Sequence, residues 1–81
     1  MSRLSDDDEA AFLLGEPVAV DSSAVAEARY DADARVLSIR FTSGPRWYDY
    51  AGVPWGVARQ FAEADSKGKF LAARFPRPWK G

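Results

Sequence analysis

The residues best suited to hold a ligand lie in the second half of the chain. Asp65-Ser66-Lys67-Gly68-Lys69 sets two lysines at a helix start, where backbone N–H groups can hold a phosphate. The segment lacks the long glycine loop of a nucleotide-binding motif. Its structural alternative is an inter-helix turn in which Ser66 caps and Gly68 relieves strain. Arg74 and Arg77 extend the same basic stretch. Upstream, Tyr48 and Tyr50 lie two apart, so in a strand both rings face one way. Such a pair could stack on bases or pack over a core. Trp47 points to the opposite side, where an exposed Trp is a good binding residue unless the N-terminal helix covers it. Trp55 and Trp79 read as packing or edge residues. The acids Asp6, Asp7 and Asp8 are a poor case for a metal, because a helix start already favours acids through its dipole.

Composition narrows the chemistry further. The chain has no Cys and no His. That removes the thiolate nucleophile, the Ser-His dyad, the imidazole proton shuttle and structural zinc. A carboxylate pair or a lysine could still catalyse, but no spacing points to either, so a binding module without cofactor or metal is expected rather than an enzyme. With 81 residues the chain forms one domain. A core of that size supplies about 3–5 kcal/mol net. Three Trp, three Tyr and five Phe give it the means, since each aromatic ring buries a large area. The net charge is −1, but it is unevenly spread: residues 1–17 carry −4 and residues 66–81 carry +5. Ala10 to Leu14 is too short an apolar run to cross a bilayer, and acids precede it, so a cytoplasmic location and no membrane partner are expected.

These residues need elements to position them. Ser5 can cap a short helix that Gly15 ends and Pro17 blocks. Composition changes sharply at Pro17, so residues 1–17 read as an acidic extension that the domain, 18–81, does not need in order to fold. Residues 24–50 read as a three-stranded antiparallel meander: Ala24–Tyr30, Val36–Phe41 and Arg46–Tyr50. Four-residue loops at 31–34 and 42–45 pair Ala28 with Leu37, Ala26 with Ile39, Ile39 with Tyr48 and Leu37 with Tyr50. An inner face of Ala24, Ala26, Ala28, Tyr30, Leu37, Ile39, Phe41, Tyr48 and Tyr50 results, and favours packing for the two tyrosines. Val25, Glu27, Arg29, Val36, Ser38, Arg40, Trp47 and Asp49 form the outer face, with Arg40 opposite Trp47 as a cation–π pair. Residues 54–64 and about 68–75 read as helices, and Pro76 and Pro78 end the second. The fold class is therefore α+β: a three-stranded antiparallel β-meander with two short helices packed on one face, plus a short N-terminal helical extension.

From Val20 to Phe75 the sequence resembles the KTSC family, a small domain found at the C-terminus of some lysyl-tRNA synthetases and alone in bacterial and phage proteins. The resemblance is carried by Asp21-Ser22-Ser23, Tyr30-Asp31, Leu37, Phe41 and Gly44. It continues in Tyr48-Asp49-Tyr50, Val53-Pro54 and Ala64-Asp65-Ser66-Lys67-Gly68-Lys69-Phe70. It implies a domain for which RNA binding is the usual suggestion. Members commonly carry an Arg directly after the residue that is Phe75 here; this chain has Pro76 and then Arg77.

The expectation is a weak RNA-binding accessory module acting through Lys67, Lys69, Arg74 and Arg77. The alternative is a protein-interaction module using the sheet face around Trp47 and Arg40. The acidic pI of about 5.3 weakens the first reading. The oligomeric state is not legible in the sequence.

Overall fold

The computed structural model of the chain describes residues 4–75. Its elements run α1 (Asp6–Leu13), β1 (Val18–Ala19), β2 (Val25–Asp31), β3 (Val36–Phe41), β4 (Trp47–Tyr50), α2 (Trp55–Glu63) and α3 (Lys67–Arg74). The four strands form one antiparallel sheet in the order β1-β2-β3-β4. The expected meander is present as β2 to β4. The strand missing from the sequence reading is β1, whose two residues are too few to show an alternation.

Local chemistry explains the boundaries. The Ser5 side chain accepts from the Asp8 amide at 3.2 Å, and four acids occupy the first turn of α1. At the other end Gly15 adopts φ 90°, Glu16 N donates to Ala11 O, and Gly15 N donates to Phe12 O. This is a Schellman cap, which needs a residue tolerant of the left-handed region at the glycine position. The Asp31 carboxylate accepts from the Asp33 and Ala34 amides and folds the β2–β3 turn, and Arg35 completes it at φ 58°. Ser66 caps α3 as expected, its hydroxyl accepting from Lys69 N.

Register agrees with expectation between β3 and β4, where Leu37 pairs with Tyr50 and Ile39 with Tyr48. Between β2 and β3 it is shifted by two residues: Ala28 pairs with Ile39 and Tyr30 with Leu37, so the loop is 32–35 rather than 31–34. A shift of two keeps every side chain on its face, which is why the apolar pattern could not detect it. A bulge between Val25 and Glu27 does change faces. It pairs Val25 with Phe41 and leaves Ala26 as the extra residue, so Val25, expected outside, is fully buried.

All three helices lie on the inner face. Phe12 of α1 is fully buried, with its ring 6.3 Å from Tyr30 of β2 and 5.8 Å from Phe61 of α2. Phe61 in turn packs against Phe70 of α3. Leu4 is also buried, and its amide donates to Ala62 O at the end of α2. The expectation that α2 and α3 alone cover the sheet is thus corrected: α1 fills the space over β2. No helix among the described residues is long and apolar enough to cross a membrane.

Tyr30 sits at the centre of this core, fully buried, and its hydroxyl donates to Val53 O at 2.6 Å. Burial raises its pKa above the ordinary 10.0; Arg35 partly offsets this and Asp31 adds to it. A raised phenol pKa favours folding while the group is neutral in both states, and that contribution is lost as pH climbs above the unfolded value, through the folded one. Stability is therefore expected to decline above about pH 10. Urea melts between pH 8 and 11 should show a shallower alkaline decline in Tyr30→Phe. An equal decline in both chains would assign the alkaline loss elsewhere.

Candidate functional site

Among the described residues, no helix lies over the outer face of the sheet. One rung joins Glu27, Arg40 and Trp47; the next joins Arg29, Ser38 and Asp49; beyond it Asp31 pairs with Val36. Arg40 is where the register expectation placed it, directly opposite Trp47, but its partner is Glu27, with Nε 2.7 Å from Oε1. The cation over the Trp47 ring is Arg29, 5.0 Å from the centroid. Arg29 reaches from β2 across β3 to β4. The intervening Ser38 is small, only 5% exposed, and donates its hydroxyl to Asp49 at 2.7 Å. The expected Arg40–Trp47 cation–π pair is therefore corrected to Arg29–Trp47. A carboxylate within reach of Arg40 outcompetes a ring face, because a charge-assisted hydrogen bond is the stronger interaction.

Beside this pair the face sinks into a depression of about 680 Å³, walled by Leu13 at the end of α1 and by Leu14 and Gly15 of the α1–β1 connection. Arg29, Asp31, Val36, Ser38 and Asp49 line it from the sheet, and Ala32 and Asp33 from the β2–β3 turn. Alternation alone put Arg29, Ser38 and Asp49 on this face. Nothing in the sequence signalled that the loop after α1 would turn up beside them.

The basic residues singled out from the sequence do not converge. Lys67 is fully buried, and its ammonium donates to Ala62 O at 3.1 Å and Ala64 O at 2.6 Å, 5.7 Å from the centre of the Phe61 ring. It caps the end of α2, sharing Ala62 O with the Leu4 amide and satisfying Ala64 O. The expected phosphate ligand is corrected to a helix C-terminal cap. A lysine just past a helix end can do either job, and only burial separates them. Lys69 is exposed. Arg74 is exposed too, but bonded to Gln60 at 2.7 Å and placed over Phe70. Arg77 and Trp79 lie outside the described residues. Of the tyrosine pair, Tyr50 is 4% exposed and packs on Phe75, as expected of a core residue. Tyr48 is more exposed than Tyr50 but still largely covered, packed against the core and edge-on to Phe41 at 5.6 Å, in line with the expectation that both rings pack. Asp6, Asp7 and Asp8 are exposed, and among the described residues no group of three acids converges as a metal site would require.

Fold and surface together define a small α+β domain: a four-stranded antiparallel sheet with helices on one face and an open polar face on the other. The chain belongs to the KTSC domain family, whose model matches residues 21–76. Its fold is similar to the crystal structure of a KTSC domain protein from Yersinia pestis. The TM-score is 0.70 at 31% identity, over 80% of this chain and 97% of that one. A comparison with curated proteins gave no match. The family match begins after β1, yet the core includes Leu4, Phe12 and Val18.

Proposed function

We propose that this domain is a non-enzymatic, cytoplasmic binding module that engages a protein partner through the open outer face of its sheet. The observation that carries the reading is the Arg29–Trp47 stack, at the edge of a depression, on a face that no helix among the described residues covers. Arg and Trp are the residue types most enriched where binding energy concentrates. Their stack also holds a long side chain in place before binding, which lowers the entropy lost on association. Single-stranded RNA is the second reading, favoured by the exposed Lys69 and Arg74 and by the part of the Tyr48 ring that stays accessible. The burial of Lys67 and the net charge of −1 count against it.

A pull-down with the immobilised full chain, with and without nuclease, separates the two readings. The expected result is a nuclease-resistant protein partner that Arg29→Ala, Trp47→Ala no longer captures, while Lys69→Glu, Arg74→Glu still does. Capture that disappears with nuclease, and with the second pair of substitutions rather than the first, transfers the function to RNA.

A further inference from the structure

We infer that the outer-face depression receives the basic side chains of an extended segment of the partner protein. The inference rests on the protein-binding reading above and names the chemistry of its partner. Three carboxylates line the depression, those of Asp31, Asp33 and Asp49, against the single cation Arg29. The ion pairs among the described residues are Arg40–Glu27, Arg59–Glu9 and Arg59–Glu63, so none of these three carboxylates is in one. Arg29 is in no ion pair with them, its guanidinium lying over Trp47, and its one charge falls short of three. The depression therefore carries an excess of negative charge on a concave surface, and complementary charge is what such a surface selects.

Two further features fit a lysine or arginine better than a small cation. Leu14 is 78% exposed at the rim, and Val36 is half-buried in the wall, so apolar carbon borders the acids. A long basic side chain matches that layout, laying its methylenes on Leu14 and Val36 while its head reaches the carboxylates. The acids are also preorganised. Asp31 Oδ1 accepts from the amides of its own turn, and Asp49 Oδ1 accepts from the Ser38 hydroxyl, which fixes both groups and leaves the second oxygen of each for an incoming donor. Like charge on this surface disfavours RNA phosphates here.

The test is a titration of the isotope-labelled full chain, followed by NMR. Its probes are an octapeptide alternating lysine with leucine, the same peptide with glutamate for lysine, and a short single-stranded RNA. The lysine peptide is expected to move the Leu14, Arg29, Asp33 and Asp49 amides saturably, and the other two probes to leave them in place. Asp33→Asn and Asp49→Asn should each weaken that binding about twofold to fivefold, the size of an exposed ion pair. Asn at position 49 can still accept from Ser38, so the fold is kept. Leu14→Ser should weaken binding too, at a position too exposed to disturb the core. No shifts with the lysine peptide, shifts elsewhere, or unchanged affinity in both Asn variants overturn the inference. If the pull-down still loses its protein on changing Arg29 and Trp47, only the basic segment is wrong and the outer-face reading stands. If the glutamate peptide binds the same amides, the charge of the partner is reversed. If RNA moves Lys69 and Arg74 and no peptide binds, both readings fall.

Discussion

Phe12→Ala is expected to unfold most of the population at room temperature. Truncating a fully buried Phe costs about 3–5 kcal/mol, and Phe12 has no exposed surface and touches rings from both the sheet and α2. A core of this size holds only about as much net stability. Phe12→Leu, which leaves a smaller cavity, should retain a cooperative melt at lower temperature. A chain beginning at Val18 loses the same ring together with Leu4 and its bond to Ala62, and should melt without a sharp transition or aggregate. Urea denaturation of the three variants is the measurement. A chain from Val18 that melts as cooperatively as the full one would show that α1 only rests on a core complete without it. The acidic composition of residues 1–17 suggested that dispensable role; the buried face of α1 argues against it.

The second large effect is at Lys67. Lys67→Met keeps most of the aliphatic stem and removes the ammonium, leaving the Ala62 and Ala64 carbonyls without that donor. A hydrogen bond to a charged group contributes about 1.5–3 kcal/mol. Release from the cost of burying the lysine offsets part of the loss of two such bonds. A net destabilisation of about 2 kcal/mol follows, or roughly 8–16 °C in Tm for a domain of this length. Lys67→Glu should be worse, because it aims a carboxylate at carbonyl oxygens in a site closed to water. Thermal melts decide this, and a Lys67→Met chain melting within a couple of degrees of wild type would remove the cap from the account. The outcome also bears on function. Loss of nucleic-acid binding in a Lys67→Glu chain would report unfolding, so any RNA test must use Lys69 and Arg74, which are exposed.

Alternation in β3 and β4 and the turn residues between the strands were enough to set the faces of the sheet, because each strand is half-buried and its side chains repeat every two residues. The same pattern placed Tyr50 inside and Arg29, Ser38, Trp47 and Asp49 outside, and the capping serines marked two of the three helix starts. The absence of Cys and His, a matter of composition alone, already ruled out the chemistries that need them.

What the tertiary structure decided is of another kind. The β2–β3 register could slip by two without exposing an apolar residue, so the Asp31 turn and the left-handed Arg35 had to choose it. The bulge that buries Val25 leaves no mark in an alternating sequence. Lys67 looks the same in sequence whether it meets solvent or the end of α2, and only the packing of α3 against α2 closes it in. Phe12 reads as part of a short acidic helix until a ring on β2 and a ring on α2 are brought to either side of it. The candidate site follows the same rule. Its Arg29–Trp47 stack spans three strands, and its apolar rim comes from a loop fifteen residues upstream of Arg29 in the chain, at Leu14. Contacts between segments that far apart depend on how the whole chain closes, and no local pattern of residue types encodes them.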